Sequence, residues 1–263
     1  MKAQDIADEF EKEAPVESGL QGDRDAQVLG FRFGNPDIEV TSVGVAWYLE
    51  TRVIWEAIGE QMNMLLIHEP EIFFTNRSPW HTSLLPETNP VNLEKKRLLI
   101  ENDICVYTAH SNWDLQKDVG MQPTFAKTLG LTKEVKRDIA VGIYQIDPMP
   151  FSQLTDQVKK VAGLAHLRVC GDDDRQIKTV AVGFGNMGKV IDAIQANKAD
   201  AGVFGELNEH AFTAAREADF PVIEATHLVS ESIGFHSVVD VMTERLPEIR
   251  FEFIDVPLSY RWT

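Results

Sequence analysis

Residues 40–70, VTSVGVAWYLETRVIWEAIGEQMNMLLIHEP, hold two apolar runs separated by an amphipathic stretch. Val40 to Tyr48 reads as a strand, Val53 to Met62 as the helix after it, and Met64 to Ile67 as a second strand that stops at His68-Glu69-Pro70. Strand, helix, strand at this spacing is the βαβ unit of a parallel sheet. Upstream, residues 3–13 alternate small, apolar and acidic types at helical spacing until Pro15 ends the pattern. Downstream, residues 76–90 (NRSPWHTSLLPETNP) carry three prolines and read as a loop, followed by a helix from Leu93 to Asn102 and a buried strand from Ile104 to Ala109. Between about 120 and 175 the elements shorten, with a strand at Val141 to Ile146, a helix at Phe151 to Ala162 and an acidic turn at Gly171-Asp172-Asp173-Asp174. The last third regains the βαβ rhythm, with strands at 178–182, 200–204, 221–225 and 249–255 and helices at 186–196, 207–218 and 231–246. The expected fold is α/β, two lobes of largely parallel βαβ units, residues 1–125 and 126–263.

The chain has 263 residues, 44% hydrophobic and 25% charged, a composition that suits one or two globular domains and excludes disorder. Acidic residues outnumber basic ones by 41 to 25, and the net charge of −16 repels the phosphates of nucleic acid and anionic lipid. A small-molecule partner is expected, with no nucleic acid and no membrane. Cys105 and Cys170 lie too far apart for a CxxC unit and read as reduced core residues. Asp5, Asp8, Glu9, Glu11 and Glu13 stand where a secretory signal needs a basic start and an apolar run, so a cytoplasmic location is expected.

In parallel α/β sheets ligands collect outside the carboxyl ends of the strands. Three apolar strands here end in a histidine near a carboxylate: His68-Glu69, His110-x-x-x-Asp114 and His227-x-x-x-Glu231, which uses three of the seven histidines. Partners four apart share one face of a helical turn and suit one ion; adjacent residues leaving a strand point apart and suit two. Imidazole and carboxylate are the usual ligands of Zn, Mn, Fe or Co, and paired ions about 3.5 to 4 Å apart form hydrolytic two-metal sites. A lone histidine at a strand end is more often a hydrogen-bonded rim residue; three in equivalent places favour a metal site.

Gly183-Phe184-Gly185-Asn186-Met187-Gly188 matches GxGxxG, with Glu206 beyond it, as in dinucleotide folds. The unit starts near residue 178, which leaves too little chain for the second half of such a sheet. The motif therefore reads as a tight strand-to-helix turn whose N–H groups are available to a phosphate. Glu206 and His210 form a fourth pair, either a solvated helix start favoured by the dipole or a general base and its partner. Lys189, Arg77 and the run Lys95-Lys96-Arg97 are the basic candidates for a phosphate, the run reading as a solvated helix face.

The segments IHEP (67–70), AHSNWD (109–114), GFGNMGK (183–189), ADAGVFGE (199–206) and ATHLVSESIG (225–234) resemble, in order, the signature blocks of the Nif-three-like dinuclear metal-centre family. Its members are called GTP cyclohydrolase I type 2 homologues. The resemblance implies two α/β lobes with a metal site between them and assembly into a hexamer. It implies two divalent ions (Mn, Zn, Fe, Co or Mg) held by His68, Glu69, His110, Asp114, His227 and Glu231, with Glu206 and His210 as catalytic candidates. The activity it implies is hydrolysis, a metal-bridged hydroxide attacking a purine nucleotide or similar substrate. The alternative is a non-catalytic metal-binding or protein-interaction protein of the same fold. Two departures stand out. Glu69 replaces the second histidine of the family's His-His-Pro, which favours harder ions, and Tyr48-Leu49-Glu50-Thr51 stands where the family shows Leu-Asp-x-Thr.

Overall fold

A computed structural model describes residues 1–70, 73, 85–138, 141–187, 199–261 and 263. The chain divides into two compact units, Met1–Gln116 with Phe235–Pro257, and Lys117–Gly234 with Leu258–Thr263. The last strand lies in the first unit, where its partner is a strand formed near the start of the chain.

The first unit contains α1 (Ala3–Glu11), α2 (Gln21–Asp25), β1 (Gly30–Phe33), β2 (Ser42–Ala46), α3 (Thr51–Gly59), β3 (Met64–Ile67), α4 (Pro90–Glu101), β4 (Cys105–Thr108) and α5 (Ser111–Asp114). The second contributes α6 (Met121–Thr128), β5 (Glu134–Arg137), β6 (Val141–Pro150), α7 (Phe151–Ala162), β7 (Arg168–Cys170), β8 (Gln176–Gly183), β9 (Ala201–Phe204), α8 (Glu209–Glu217), β10 (Val222–Glu224) and α9 (His227–Phe235). The chain then forms α10 (Ser237–Arg245) and β11 (Arg250–Phe253).

Among the described residues the first sheet has five strands, in the order β1-β4-β3-β2-β11. Its central pairings are parallel and only β1 runs antiparallel, against β4. The βαβ reading of residues 40–70 is what forms: β2 and β3 are fully buried apolar strands, and α3 buries Val53, Ile54 and Ala57. Each fully buried aliphatic side chain of this kind contributes roughly 1.5 to 3 kcal/mol. Asn89 caps α4 by accepting the Val91 N–H at 3.0 Å, with Pro90 pre-set for the first helical position. Trp113 packs rather than facing a ligand, stacked on Phe10 with ring centres 5.3 Å apart. Lys95 departs from the reading of its basic run as solvated: it is fully buried on α4, its Nζ 6.0 Å from the centre of the Tyr48 ring.

Among the described residues the second sheet has six strands in the order β5-β6-β8-β9-β10-β7, parallel only where β9 meets β8 and β10. The parallel βαβ description therefore holds for its centre, and antiparallel strands close both edges. Alternate residues of its strands feed opposite faces. Val180, Val182, Val203 and Ile223 pack with Phe125, Phe151 and Leu154, while Ala181, Phe204 and Val222 pack with Leu207, Ala211 and Phe220. Helix α6 and strand β5 carry no sequence signal strong enough to read. Pro123 sits in the first turn of α6, where the missing N–H costs nothing, and β5 is an exposed edge strand without apolar alternation. The helix expected at 231–246 is two helices divided at His236, and the first begins at His227 itself. The helix expected at 186–196 falls almost wholly outside the described residues, as do Arg77 and Lys189 and most of the loop at 76–90. Cys105 is buried and Cys170 half-buried, both free thiols, and burial pushes the Cys105 thiol up to about 12. Among the described residues no helix is long and apolar enough to cross a membrane.

Candidate metal centre

In the first unit the sheet itself aligns the donors. Ile67 of β3 and Thr108 of β4 are register partners, and pairing continues past the strand ends through His68 N–H to Ala46 O (3.1 Å), Glu69 N–H to Trp47 O (2.8 Å) and Ala109 N–H to Ile67 O (2.9 Å). His68 and His110 thus leave neighbouring strands at the same level, their ring centres 4.9 Å apart. His110 precedes the short α5, whose turn brings Asp114 back to the same place, with Oδ1 2.9 Å from His68 Nε2.

One donor atom from each of His68, His110 and Asp114 lies within 4.8 Å of the other two. Ligands about 2.1 Å from an ion stand at most about 4.2 Å apart, so two imidazoles and a carboxylate at this separation fit one divalent ion after small adjustment. Glu69, almost fully buried, adds a carboxylate oxygen within 4.8 Å of a His68 donor atom.

Behind His110 lies a residue the sequence reading missed. Asp23, fully buried on α2, places Oδ2 2.7 Å from His110 Nδ1 and accepts the Ser111 N–H at 3.3 Å as well as the Ser111 hydroxyl. A carboxylate on Nδ1 fixes the ring and leaves Nε2 for a metal, the usual arrangement behind a ligating histidine. Burial acts to lower the His110 pKa, but the Asp23 hydrogen bond and the charge of Asp114 outweigh it, and the net direction is upward.

The second unit repeats the pattern at its own strand ends. Phe204 of β9 and Glu224 of β10 are register partners, and the chain runs on to Glu206 and His227 respectively. His227 Nδ1 lies 3.1 Å from Glu206 Oε2, and His227 Nε2 lies 3.1 Å from Glu231 Oε2 across one turn of α9. The hydrogen bond to His227 holds the Glu206 carboxyl below its usual range, with the Arg168 charge adding to it. Thr226, just before His227, has φ of +71°, a conformation rare for a β-branched residue and costing roughly 1 to 3 kcal/mol.

Spacing by four pairs Glu206 with His210, but the structure does not bring them together in that way. Helix α8 starts only at Glu209, after an Asn208 cap, so no helical turn joins the two; His210 is exposed on α8 and Glu206 turns to His227. The glycine motif also has a different purpose from the one expected. Gly185 N–H donates to Ser230 Oγ (3.1 Å) and Met187 N–H to Glu206 O (3.0 Å), so these donors are not open to a phosphate. A Cβ on Gly185, whose φ is +60°, would lie 2.3 Å from Glu231 Oε1, so the glycine makes room for that carboxylate.

Comparison with known proteins agrees with this architecture. The family model Duf34/NIF3 (NGG1p interacting factor 3) matches residues 1–259. The protein named GTP cyclohydrolase 1 type 2 homolog from Clostridium acetobutylicum is 30% identical over 257 residues, covering 94% of this chain and 90% of that one. A protein of the same name from Methanocaldococcus jannaschii is 28% identical, covering 94% and 96%. Among solved structures, a Bacillus cereus protein related to NIF3 shares the fold with a TM-score of 0.86 at 17% identity, covering 100% of this chain and 99% of that one. Reduced HcgD from Methanocaldococcus jannaschii gives a TM-score of 0.76 at 26% identity, covering 97% and 98%. With a match along almost its whole length, and with histidines and carboxylates gathered at its strand ends, the chain belongs to the Duf34/NIF3 family.

Proposed function

We propose that the chain is a metal-dependent hydrolase in which His68, Glu69, His110, Asp114, His227 and Glu231 hold two divalent ions. The observation that carries this reading is the set of His68, His110 and Asp114 donor atoms within 4.8 Å of one another, braced from behind by Asp23. Bound there, such ions would lower the pKa of a coordinated water towards neutrality and act as Lewis acids towards a substrate. The chain's own groups then have defined tasks. Asp23 and Glu206 hold the Nδ1 atoms of His110 and His227 and so keep each Nε2 available. Glu69, Asp114 and Glu231 supply three negative charges, which favours harder ions such as Mn or Mg over Zn compared with a second histidine at position 69.

The relatives' name supports a purine nucleotide as the substrate, and the family resemblance supports a cytoplasmic hexamer. A second reading, a non-catalytic metal-binding or interaction protein, is favoured by the buried Glu69 at the family's histidine position. Incubating the metal-loaded protein with GTP and a panel of phosphoesters tests both. Turnover that disappears on chelation supports the hydrolase, whereas bound metal without turnover of any substrate supports the second reading.

A further inference from the structure

Arg168 opens β7 and stands opposite Glu224, the last residue of β10, in the antiparallel register. Three residues beyond Glu224 the chain delivers His227. The Arg168 guanidinium is held on one edge and one face. Its Nε donates to Glu224 Oε1 at 2.8 Å, its Nη2 donates to the other Glu224 oxygen and to Leu207 O at 2.6 Å, and its central carbon lies 4.8 Å from the centre of the Phe212 ring. Glu224 is buried and also accepts the Leu207 N–H at 2.7 Å, so the arginine's anchor is itself fixed.

The remaining edge is different. Nη1 donates to none of the described residues, and the Arg168 side chain keeps 40% of its surface exposed. Stapling β7 to β10 needs only the Nε and Nη2 edge. Arg168 itself stands at the carboxyl end of β10, beside the end of β9, where ligands collect in this class of sheet. It is near enough to the Glu206 and His227 pair for its charge to act on Glu206. Tyr260, 53% exposed, hydrogen-bonds Thr226 and feels the same charges of Arg168, Glu224 and Glu206.

We propose that the Nη1 edge of Arg168 binds the anionic group of a small-molecule ligand, a phosphoryl or carboxylate oxygen, beside His227. A planar fork already locked in place loses little freedom on binding an oxyanion, and a charge-assisted bond of this type is among the stronger ones. That this ligand is the substrate of the metal centre rests on the function proposed above; binding of the anion does not.

Calorimetric titration of the full chain with inorganic phosphate, and separately with acetate, tests the proposal in metal-loaded and chelator-treated protein. Arg168→Lys keeps a positive charge opposite Glu224 but has no second edge to present. The expected result is anion binding by the natural chain and a Kd raised about tenfold in Arg168→Lys, with metal content unchanged and the far-ultraviolet circular dichroism that of a folded chain. Phosphate and acetate as separate arms tell which oxyanion is preferred. Equal Kd values in the two proteins, or no binding of either anion by the natural chain in either state, overturn the proposal. If Arg168→Lys does not fold, Phe212→Leu removes the stacking face and leaves the ion pair; a Kd raised several-fold supports the proposal and an unchanged one overturns it. A chain that binds no metal yet loses anion affinity in Arg168→Lys rejects the two-ion reading and keeps this one.

Discussion

Asp23 Oδ2 lies 2.7 Å from His110 Nδ1, a contact between residues 87 positions apart. It turns a buried acid on a five-residue helix into the support of a candidate metal ligand. Asp23→Asn keeps the shape but removes the charge. It is expected to weaken metal binding about 10- to 100-fold, with the far-ultraviolet circular dichroism unchanged. Competition titration against a chromogenic chelator measures this. Metal affinity equal to that of the natural chain shows that Asp23 has no part in holding the ligand.

His110 is expected to make metal affinity depend on pH. Its folded pKa is raised, so in the metal-free chain the ring keeps a proton above the ordinary histidine range of about 6.5, and a metal must displace it. Apparent affinity rises as pH increases above about 6.5, by up to about tenfold per pH unit, until the ring is neutral without metal. The same shift makes the Asp23 contact stabilise the metal-free fold below the unfolded pKa, a contribution lost as pH rises through the folded one. Titrations at several pH values that return one affinity contradict this.

Gly185 tests the second cluster. Gly185→Ala places a methyl group 2.3 Å from Glu231 Oε1 at a backbone φ of +60°, so the carboxylate must move and the backbone is strained. The strain costs about 1 kcal/mol, visible as a lower denaturant midpoint. The displaced Glu231 reduces metal content in equilibrium dialysis. A variant with full metal content shows that Glu231 is not a ligand.

Lys95 gives stability a pH dependence of its own. Burial lowers its amine to about 7 against the raising influence of Glu50. Because this folded value lies below the unfolded one of 10.5, the unfolded chain binds more protons across that interval, and the Lys95 contribution to stability rises with pH from about 7 upward. Below that window the amine is charged in both states and the full burial penalty is present. Lys95→Met is therefore expected to be more stable than the natural chain at pH 6, by about 1 to 3 kcal/mol, with the difference narrowing by pH 9. Urea unfolding at both pH values decides it, and a variant less stable at pH 6 contradicts the account.

Glu69→His restores the family's donor at that position. With two divalent ions bound, preference is expected to move from Mn or Mg towards Zn, because an imidazole is a softer donor than a carboxylate. Elemental analysis of both proteins after exposure to equimolar metals reads this out. Identical metal ratios remove Glu69 from the ligand set.

Much of this architecture is legible in residue order, because an apolar strand that ends in a histidine announces both a sheet and a place at its edge. His68, His110 and His227 are found in that way, and Met64 to Ile67 forms the strand its apolar run predicts. Asp23 is not legible: nothing local marks it, and only folding brings it under His110. Glu206 shows how spacing misleads. It stands four positions before His210, but the helix that would give this interval meaning begins too late, and the Glu206 side chain reaches His227 instead. Gly185 looks like part of a phosphate turn until Glu231, 46 residues later, is seen to need its space.

The most direct test of the central claim is a count of metal ions per chain. After saturation with Mn or Zn and dialysis, mass spectrometry of the elements is expected to find roughly two ions in the natural chain and fewer in both His110→Ala and His227→Ala. No retained metal, or a count that neither substitution changes, contradicts the claim that these histidines hold a two-ion centre.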